Sequence, residues 1–293
     1  MLRDVPDFLS PERPFAQSAA KGKIIVITGG GTGVGLGIAR YWIAAGAAGV
    51  VISGRRKDKI DSSVISLEEL AAGKTKILGV QADVAKEADT DALFAAVKKA
   101  FGRAADVVFA NAGNVSEVMP LHKDANANWW KVFEVNILGT HNTAMSWIRS
   151  QENPDDPVGT FLATNTDASG LVTPGLSAYA ISKLAAQRYI ESLDAEYPKL
   201  GAFTIMPGVV PTDMSAAFPI PKVTDKAEQT GAWALYLASG RGDYLKGSMA
   251  NVHWDPEEME EYKEEIKTNR LLRIKYSPIF GLEGGNGLQG LRK

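Results

Sequence analysis

The sequence holds no cysteine in 293 residues. Disulfides, thiolate metal sites and thiol catalysis are therefore excluded together. It has no surplus of charge of either sign: 32 Lys and Arg stand against 34 Asp and Glu, a formal charge of −2. Such a balance supplies no long-range field to gather nucleic acid or an anionic lipid surface, so neither is an expected partner. No apolar run reaches the length that spans a bilayer. The opening stretch MLRDVPDFLSPERPFAQ puts acids and prolines where a secretory leader needs unbroken apolar residues, and the expectation is a soluble, cytoplasmic protein. Histidine is scarce too. His122, His141 and His253 are scattered without ligand spacing, so no metal is expected and the three read as structural or surface residues.

What is present is hydrophobic material for one large core, at 45% of residues. From Lys23 onward, short β-branched runs alternate with longer segments whose apolar residues recur every three to four positions, the rhythm of βαβ units. The runs predict strands at 23–28, 49–54, 76–82, 106–112, 159–165, 202–207 and 248–254; the periodic segments predict helices at 35–46, 89–102, 126–150, 177–197 and 225–240. The expected fold class is α/β, a single doubly wound domain with a seven-stranded, mostly parallel sheet. Residues 1–22 are polar and proline-bearing and read as an N-terminal arm, an appendage to the domain. The main domain is expected at 23–255, followed by a C-terminal helix and flexible, glycine-rich tail at 256–293. There is no internal repeat.

The stretch IVITGGGTGVGLGIAR follows the first strand and opens the first helix. In that context glycines permit a tight turn and let backbone amides approach a pyrophosphate at a positive helix end. The spacing is Thr28-Gly29, three residues, then Gly33-Val34-Gly35. In YAISK, Tyr179 and Lys183 lie four apart in a helical segment and so share a face. A free phenol titrates near 10, so proton transfer near neutral pH asks for a fall of up to about three units, worth roughly 4 kcal/mol. A fixed ammonium is a suitable agent. Other motifs stand in order: Asp83-Val84 after the third strand, Asn111-Ala112-Gly113 after the fourth, Asn136 in the long helical segment, and Pro207-Gly208-Val209-Val210-Pro211-Thr212 after the sixth strand.

Together these motifs resemble the short-chain dehydrogenase/reductase family over most of residues 23–254, with the first matching its T-G-x-x-x-G-x-G signature. The N-terminal arm and long acidic tail are similar to fungal members that act in small-molecule biosynthesis. The resemblance implies a Rossmann-like, single-domain nicotinamide enzyme whose members pair through long helices, so a homodimer or homotetramer is expected. Asp83 and Val84 would meet the adenine ring, and Asn111, Ala112 and Gly113 would steady the strand beside it. Pro207, Gly208, Val209 and Thr212 would hold the nicotinamide carboxamide, Thr212 by its hydroxyl and Val209 by its backbone. Tyr179 would exchange a proton with the substrate oxygen, and Lys183 would lower its pKa and hold the nicotinamide ribose. Asn136 would position a relay water beside the lysine. The second strand ends on Gly54, where an NAD-preferring enzyme carries a carboxylate, and continues into Arg55 and Arg56. Two guanidinium groups match a 2′-phosphate, so NADP(H) is the expected cofactor.

The chain departs from the family pattern at one catalytic position. The serine that hydrogen-bonds the substrate oxygen, thirteen residues before the tyrosine, is here Thr166. Threonine keeps the hydroxyl and adds a methyl and a stiffer χ1. A small gap would nominate Ser169 or Thr164 instead, and Asp167 beside it faces either the cleft or solvent. After Thr212 a proline-punctuated apolar segment falls where the family carries a lid, and Met214, Phe218 and Ile220 are candidates to line a hydrophobic pocket. The expected substrate is a small ketone or secondary alcohol with hydrophobic or aromatic bulk. Two other readings stay open: a nucleotide-binding regulatory protein that keeps the fold without turnover, and an isomerase or dehydratase on the same scaffold.

Overall fold

The computed structural model describes residues 2–217 and 225–275. Its strands are β1 (Ile24–Thr28), β2 (Gly49–Gly54), β3 (Lys76–Gln81), β4 (Val107–Ala110), β5 (Gly159–Thr164), β6 (Leu200–Met206) and β7 (Met249–Asn251). They form one sheet in the order β3-β2-β1-β4-β5-β6-β7, and every neighbouring pair runs parallel. The register is set at the centre, where Val26 of β1 pairs with Val51 of β2 and with Val108 of β4.

Alternation along β1 explains why both faces are covered. Ile25 and Ile27 join the apolar layer beneath α2 (Gly33–Ala44), α3 (Lys57–Ala71) and α8 (Ala227–Ala238), whereas Ile24 and Val26 join the layer beneath α4 (Glu87–Phe101), α6 (Gly139–Ser150) and α7 (Ser177–Glu196). Trp42 and Trp233 anchor the first layer and Trp147 the second, all three fully buried. Strand order reverses between β1 and β4. The carboxyl ends of these two strands therefore open a crevice, the place where doubly wound sheets take ligands.

Three expectations are corrected. The first concerns residues 1–22, which are packed rather than appended: helix α1 (Pro14–Ala20) and the preceding turn bury Leu9, Ala16 and Ala20 in the first layer. The Tyr41 hydroxyl donates to the Leu9 carbonyl at 2.5 Å, so the arm is tied to α2 as well. Val5, Phe8, Leu9, Phe15, Ala16, Ala19 and Ala20 all pack on that layer, which composition averaged over the segment conceals. The second concerns the helix expected over 126–150. It comprises α5 (Asn126–Phe133), a π-helical turn (Glu134–Leu138) and α6 in unbroken succession, and Asn136 occupies the widened turn. The third concerns the single helix expected after residue 255. It is two short ones, α9 (Pro256–Glu261) and α10 (Lys263–Thr268), with Tyr262 at φ −101°, ψ 12° between them. Asp255 caps the first by accepting from the Glu257 amide at 2.9 Å.

Candidate active site

A cavity of about 600 Å³ opens at the carboxyl ends of the central strands. One wall is the glycine turn. Gly29 and Gly33 adopt φ of +64° and +53°, which side-chain-bearing residues rarely take, and a Cβ on Gly33 would approach Thr212 Cγ2 to 2.6 Å. Gly35 backs the turn so closely that a Cβ there would overlap the Gly29 carbonyl. Thr32 at the N-cap of α2 makes no side-chain cap bond, so the first-turn amides of that helix remain available to an anion. Thr28 lies behind the cavity, buried. Its hydroxyl accepts from the Asn111 and Ala112 amides at 3.1 Å each, and the Asn111 side chain donates to the Thr28 carbonyl at 3.1 Å, stapling β1 to β4.

At the end beyond β2 the cavity is lined by Gly54, Arg55 and Arg56, with Lys59 added from the first turn of α3. Arg56 reaches Asp213 at 3.3 Å and the Thr32 hydroxyl at 3.5 Å, spanning the mouth. Asp83 and Val84 line the adjoining wall, as do Ala112 and Gly113. Opposite them run Pro207, Gly208, Val209 and Thr212, followed by Met214. Phe218 and Ile220 lie outside the described residues.

The remaining wall carries the titratable pair. Tyr179 and Lys183 project from α7 into the cavity beside Thr166 and Asp167. The Lys183 ammonium donates to the Thr164 carbonyl at 2.7 Å and stands 5.9 Å from the centroid of the Tyr179 ring. Burial draws Lys183 down to about 8. Burial also pushes the Tyr179 phenol up, and a hydrogen bond with the Thr166 side chain opposes that rise. The lowered phenol expected beside a lysine is thus corrected for the protein alone. Desolvation is the largest cause, and the Lys183 ammonium is hydrogen-bonded to a backbone carbonyl.

Of the three candidate hydroxyls, Thr166 is the one directed at the phenol. Ser169 donates to the Thr166 carbonyl at 2.8 Å, and Thr164 donates to the Asn111 side chain at 3.2 Å. Asn136 is 1% exposed and does not line the cavity. Its side chain accepts from the Asn114 amide at 2.8 Å and donates to the Asn114 carbonyl and to Ser182 Oγ at 3.0 and 2.9 Å. Ser182 in turn donates to the Tyr179 carbonyl at 2.7 Å, so the π-turn is bonded to the helix that carries the pair. A Cβ on Gly113 would lie 3.6 Å from Asn136 Oδ1 and 3.8 Å from Lys183 Nζ, which shows the asparagine and lysine converging there.

Sequence reasoning missed Lys59, Val135, Leu176, Met206 and His253 among the lining residues. Lys59 was legible, standing four positions after Arg55 on a helix start. His253 is neither isolated nor at the surface: its Nε2 lies 2.9 Å from the wholly buried carboxylate of Asp225.

The sequence model of the short chain dehydrogenase family matches residues 23–220. The chain belongs to the short chain dehydrogenase family. Short chain dehydrogenase andI of Emericella variicolor is 30% identical over 268 residues, covering 88% of this chain and 90% of that protein. Short chain dehydrogenase mpl6 of Monascus purpureus is 29% identical over 272 residues, covering 90% of this chain and 92% of that one. The solved structure of the NADPH-dependent 3-quinuclidinone reductase from Rhodotorula rubra superposes with a TM-score of 0.71 at 25% identity, over 86% of this chain and 95% of that one. The expected resemblance to fungal biosynthetic members therefore holds. Short chain dehydrogenases are nicotinamide-dependent oxidoreductases. The glycine cradle, the open first turn of α2 and the cavity volume of about 600 Å³ fit a dinucleotide with a small substrate beside it.

Proposed function

We propose that this short chain dehydrogenase uses NADP(H) to reduce a carbonyl, or oxidise a secondary alcohol, of a small hydrophobic or aromatic molecule. The observation that carries the reading is the sharing of one cavity by two chemistries: Arg55, Arg56 and Lys59 at one end, Tyr179, Thr166 and Lys183 at the other. Three cations around a site without a carboxylate at Gly54 favour a ribose that bears a 2′-phosphate. Lys59 strengthens that preference beyond the two arginines. The nicotinamide, when bound, supplies or accepts the hydride.

Everything else falls to this chain's residues. The Gly33 turn and α2 amides would hold the pyrophosphate, and Val209 and Thr212 would hold the carboxamide. Thr166, bonded to Tyr179 in the protein alone, turns its hydroxyl hydrogen to the substrate oxygen when substrate is bound. In reduction, the Tyr179 hydroxyl gives its proton to that oxygen; in oxidation, the phenolate takes it back. Lys183 remains largely protonated at neutral pH with a pKa of about 8, so its charge favours the phenolate. Asn136 acts on the pair from behind, through Ser182. Leu176, Met206, Val210 and Met214 give the substrate end an apolar lining, in keeping with a hydrophobic ketone or alcohol. Pairing into a homodimer or homotetramer in the cytoplasm completes the reading, with exposed Trp130, Ile181 and Leu184 on α5 and α7 as the apolar contact face.

A panel of ketones and secondary alcohols, followed by NADPH absorbance, tests the reading with a Tyr179→Phe control. Turnover of an apolar ketone by the wild type, lost in the phenylalanine variant while NADPH still binds, is the expected result. Undiminished turnover in that variant, or a preference for phosphorylated sugars, would reject it.

A further inference from the structure

The family match ends at residue 220 and begins at 23, yet a network outside those limits reaches the cavity wall. At its centre is Asp225, whose side chain is wholly buried. Its Oδ2 accepts from the Val209 amide at 2.6 Å and lies 2.9 Å from His253 Nε2. Its own amide donates to the Val209 carbonyl at 3.0 Å, so both backbone polar groups of Val209 end on one residue. Gly208, at φ +71°, passes so near that a Cβ there would overlap Asp225 Oδ2 and approach His253 Nε2 to 2.9 Å.

The other oxygen belongs to the N-terminal arm. Arg3 Nη1 donates to Asp225 Oδ1 at 2.9 Å. Three more bonds fix the arm beside it: the Leu2 amide to the His253 carbonyl at 3.0 Å, Gln229 Nε2 to the Asp4 carbonyl at 2.7 Å, and Lys226 to the Asp4 carboxylate. Burial alone would push the Asp225 carboxyl up, but the bonds from Arg3, Val209 and His253 prevail and hold it below the usual value. A buried carboxylate that loses a cation is poorly solvated and strongly disfavoured, so it must find other donors or move. The partners left to it are the Val209 amide and His253, both on the loop side.

We propose that Arg3 is a positioning residue that, through Asp225, sets the conformation of the Pro207–Val210 segment and thereby the affinity of the cavity for the nicotinamide end of the cofactor. This rests on the reading of the cavity as an NADP(H) site. The N-terminal arm is then a working part of the cofactor site in this chain. Its grip acts on binding rather than on hydride transfer, because the Arg3 bond goes to the carboxylate that holds the Val209 amide.

The test is the dissociation constant of NADPH, read by its fluorescence on the full chain, for wild type, Arg3→Ala, Arg3→Lys and Leu9→Val. Leu9 is a fully buried arm residue in the apolar layer whose side chain makes no polar bond, so Leu9→Val lowers the melting temperature while leaving the bonds to Asp225 in place. The expected result is a rise of about tenfold for Arg3→Ala, substantial rescue by Arg3→Lys, and no change for Leu9→Val. The Michaelis constant for NADPH rises by the same factor, with kcat at saturating cofactor within twofold of wild type. An Arg3→Ala affinity within twofold of wild type would overturn the brace, and so would an equal loss in Leu9→Val, which would mark a generally loosened arm. A wild-type chain that binds no NADPH overturns the cofactor reading and the brace together.

Discussion

Replacing Thr166 with valine removes one hydroxyl and keeps the branched shape, and two effects follow from its position. The first is loss of the donor proposed to face the substrate oxygen. Removing such a donor typically costs about 2.7–4 kcal/mol, so kcat should fall by roughly a hundred- to a thousandfold. The second effect concerns acidity. Burial raises the Tyr179 phenol and the Thr166 hydrogen bond opposes that rise, so valine lets the phenol climb further. Alcohol oxidation needs the phenolate and gains rate as pH rises through this pKa; carbonyl reduction needs the phenol and loses rate over the same interval. The variant's oxidation limb should therefore move to higher pH. Its reduction limb should persist to higher pH as well. The assay is kcat against pH in both directions with a reactive ketone and its alcohol, alongside NADPH affinity, which should stay unchanged. Thr166→Ser should restore most of the rate. The Ala168 amide also loses an acceptor at 3.3 Å, a cost of about 1 kcal/mol in stability that a melting curve separates from the kinetic effect. Full activity in the valine variant, or a matching loss on Ser169→Ala, would refute the assignment.

Two other outcomes follow from the same cavity. Arg56→Ala should weaken NADPH binding by about tenfold while leaving NADH nearly untouched, since the guanidinium is half-exposed and its gain on a 2′-phosphate is discounted by solvent; paired titrations with the two dinucleotides check this. Lys183→Met should change how stability depends on pH: the wild-type lysine, with a folded pKa of about 8 against an ordinary 10.5, is destabilising by roughly 3 kcal/mol below pH 8 and less so as pH climbs toward 10.5. Denaturant unfolding across that window should show wild-type stability rising relative to the methionine variant, and parallel curves would contradict the buried placement.

Those tests draw on residues that differ in how plainly the sequence announced them. Strand 49–54 was read at its observed limits because a β-branched run between glycines is a local signal. The glycine turn was equally plain, since its spacing and the helix behind it lie within one short stretch. Lys183 and Tyr179 share a helix face for the same local reason. Their electrostatics were not legible. A spacing of four says the groups adjoin, but the sign of the shift in Tyr179 depends on how much protein closes over it, and that is decided by β5, α7 and the loop after Met206 together. The π-turn at Asn136 was likewise hidden. Its apolar neighbours keep an ordinary helical rhythm, and the extra residue per turn is set by bonds to Asn114 and Ser182, 22 and 46 positions away.

The arm shows where local reading stops by its nature. Arg3 and Asp225 stand 222 positions apart, and no periodicity or motif relates residues at that distance. An arginine near a chain start reads as solvated, and an aspartate before a helix reads as a cap. Only the parallel order of β6 and β7, which brings His253 under the loop that follows β6, makes a single buried carboxylate the meeting point of the three. The family match covers the loop above that carboxylate, and residues outside the match supply the carboxylate and the arginine and histidine bonded to it. Residues that a family match leaves out can therefore still be bonded to the wall of the site the match describes, provided the fold returns them to it.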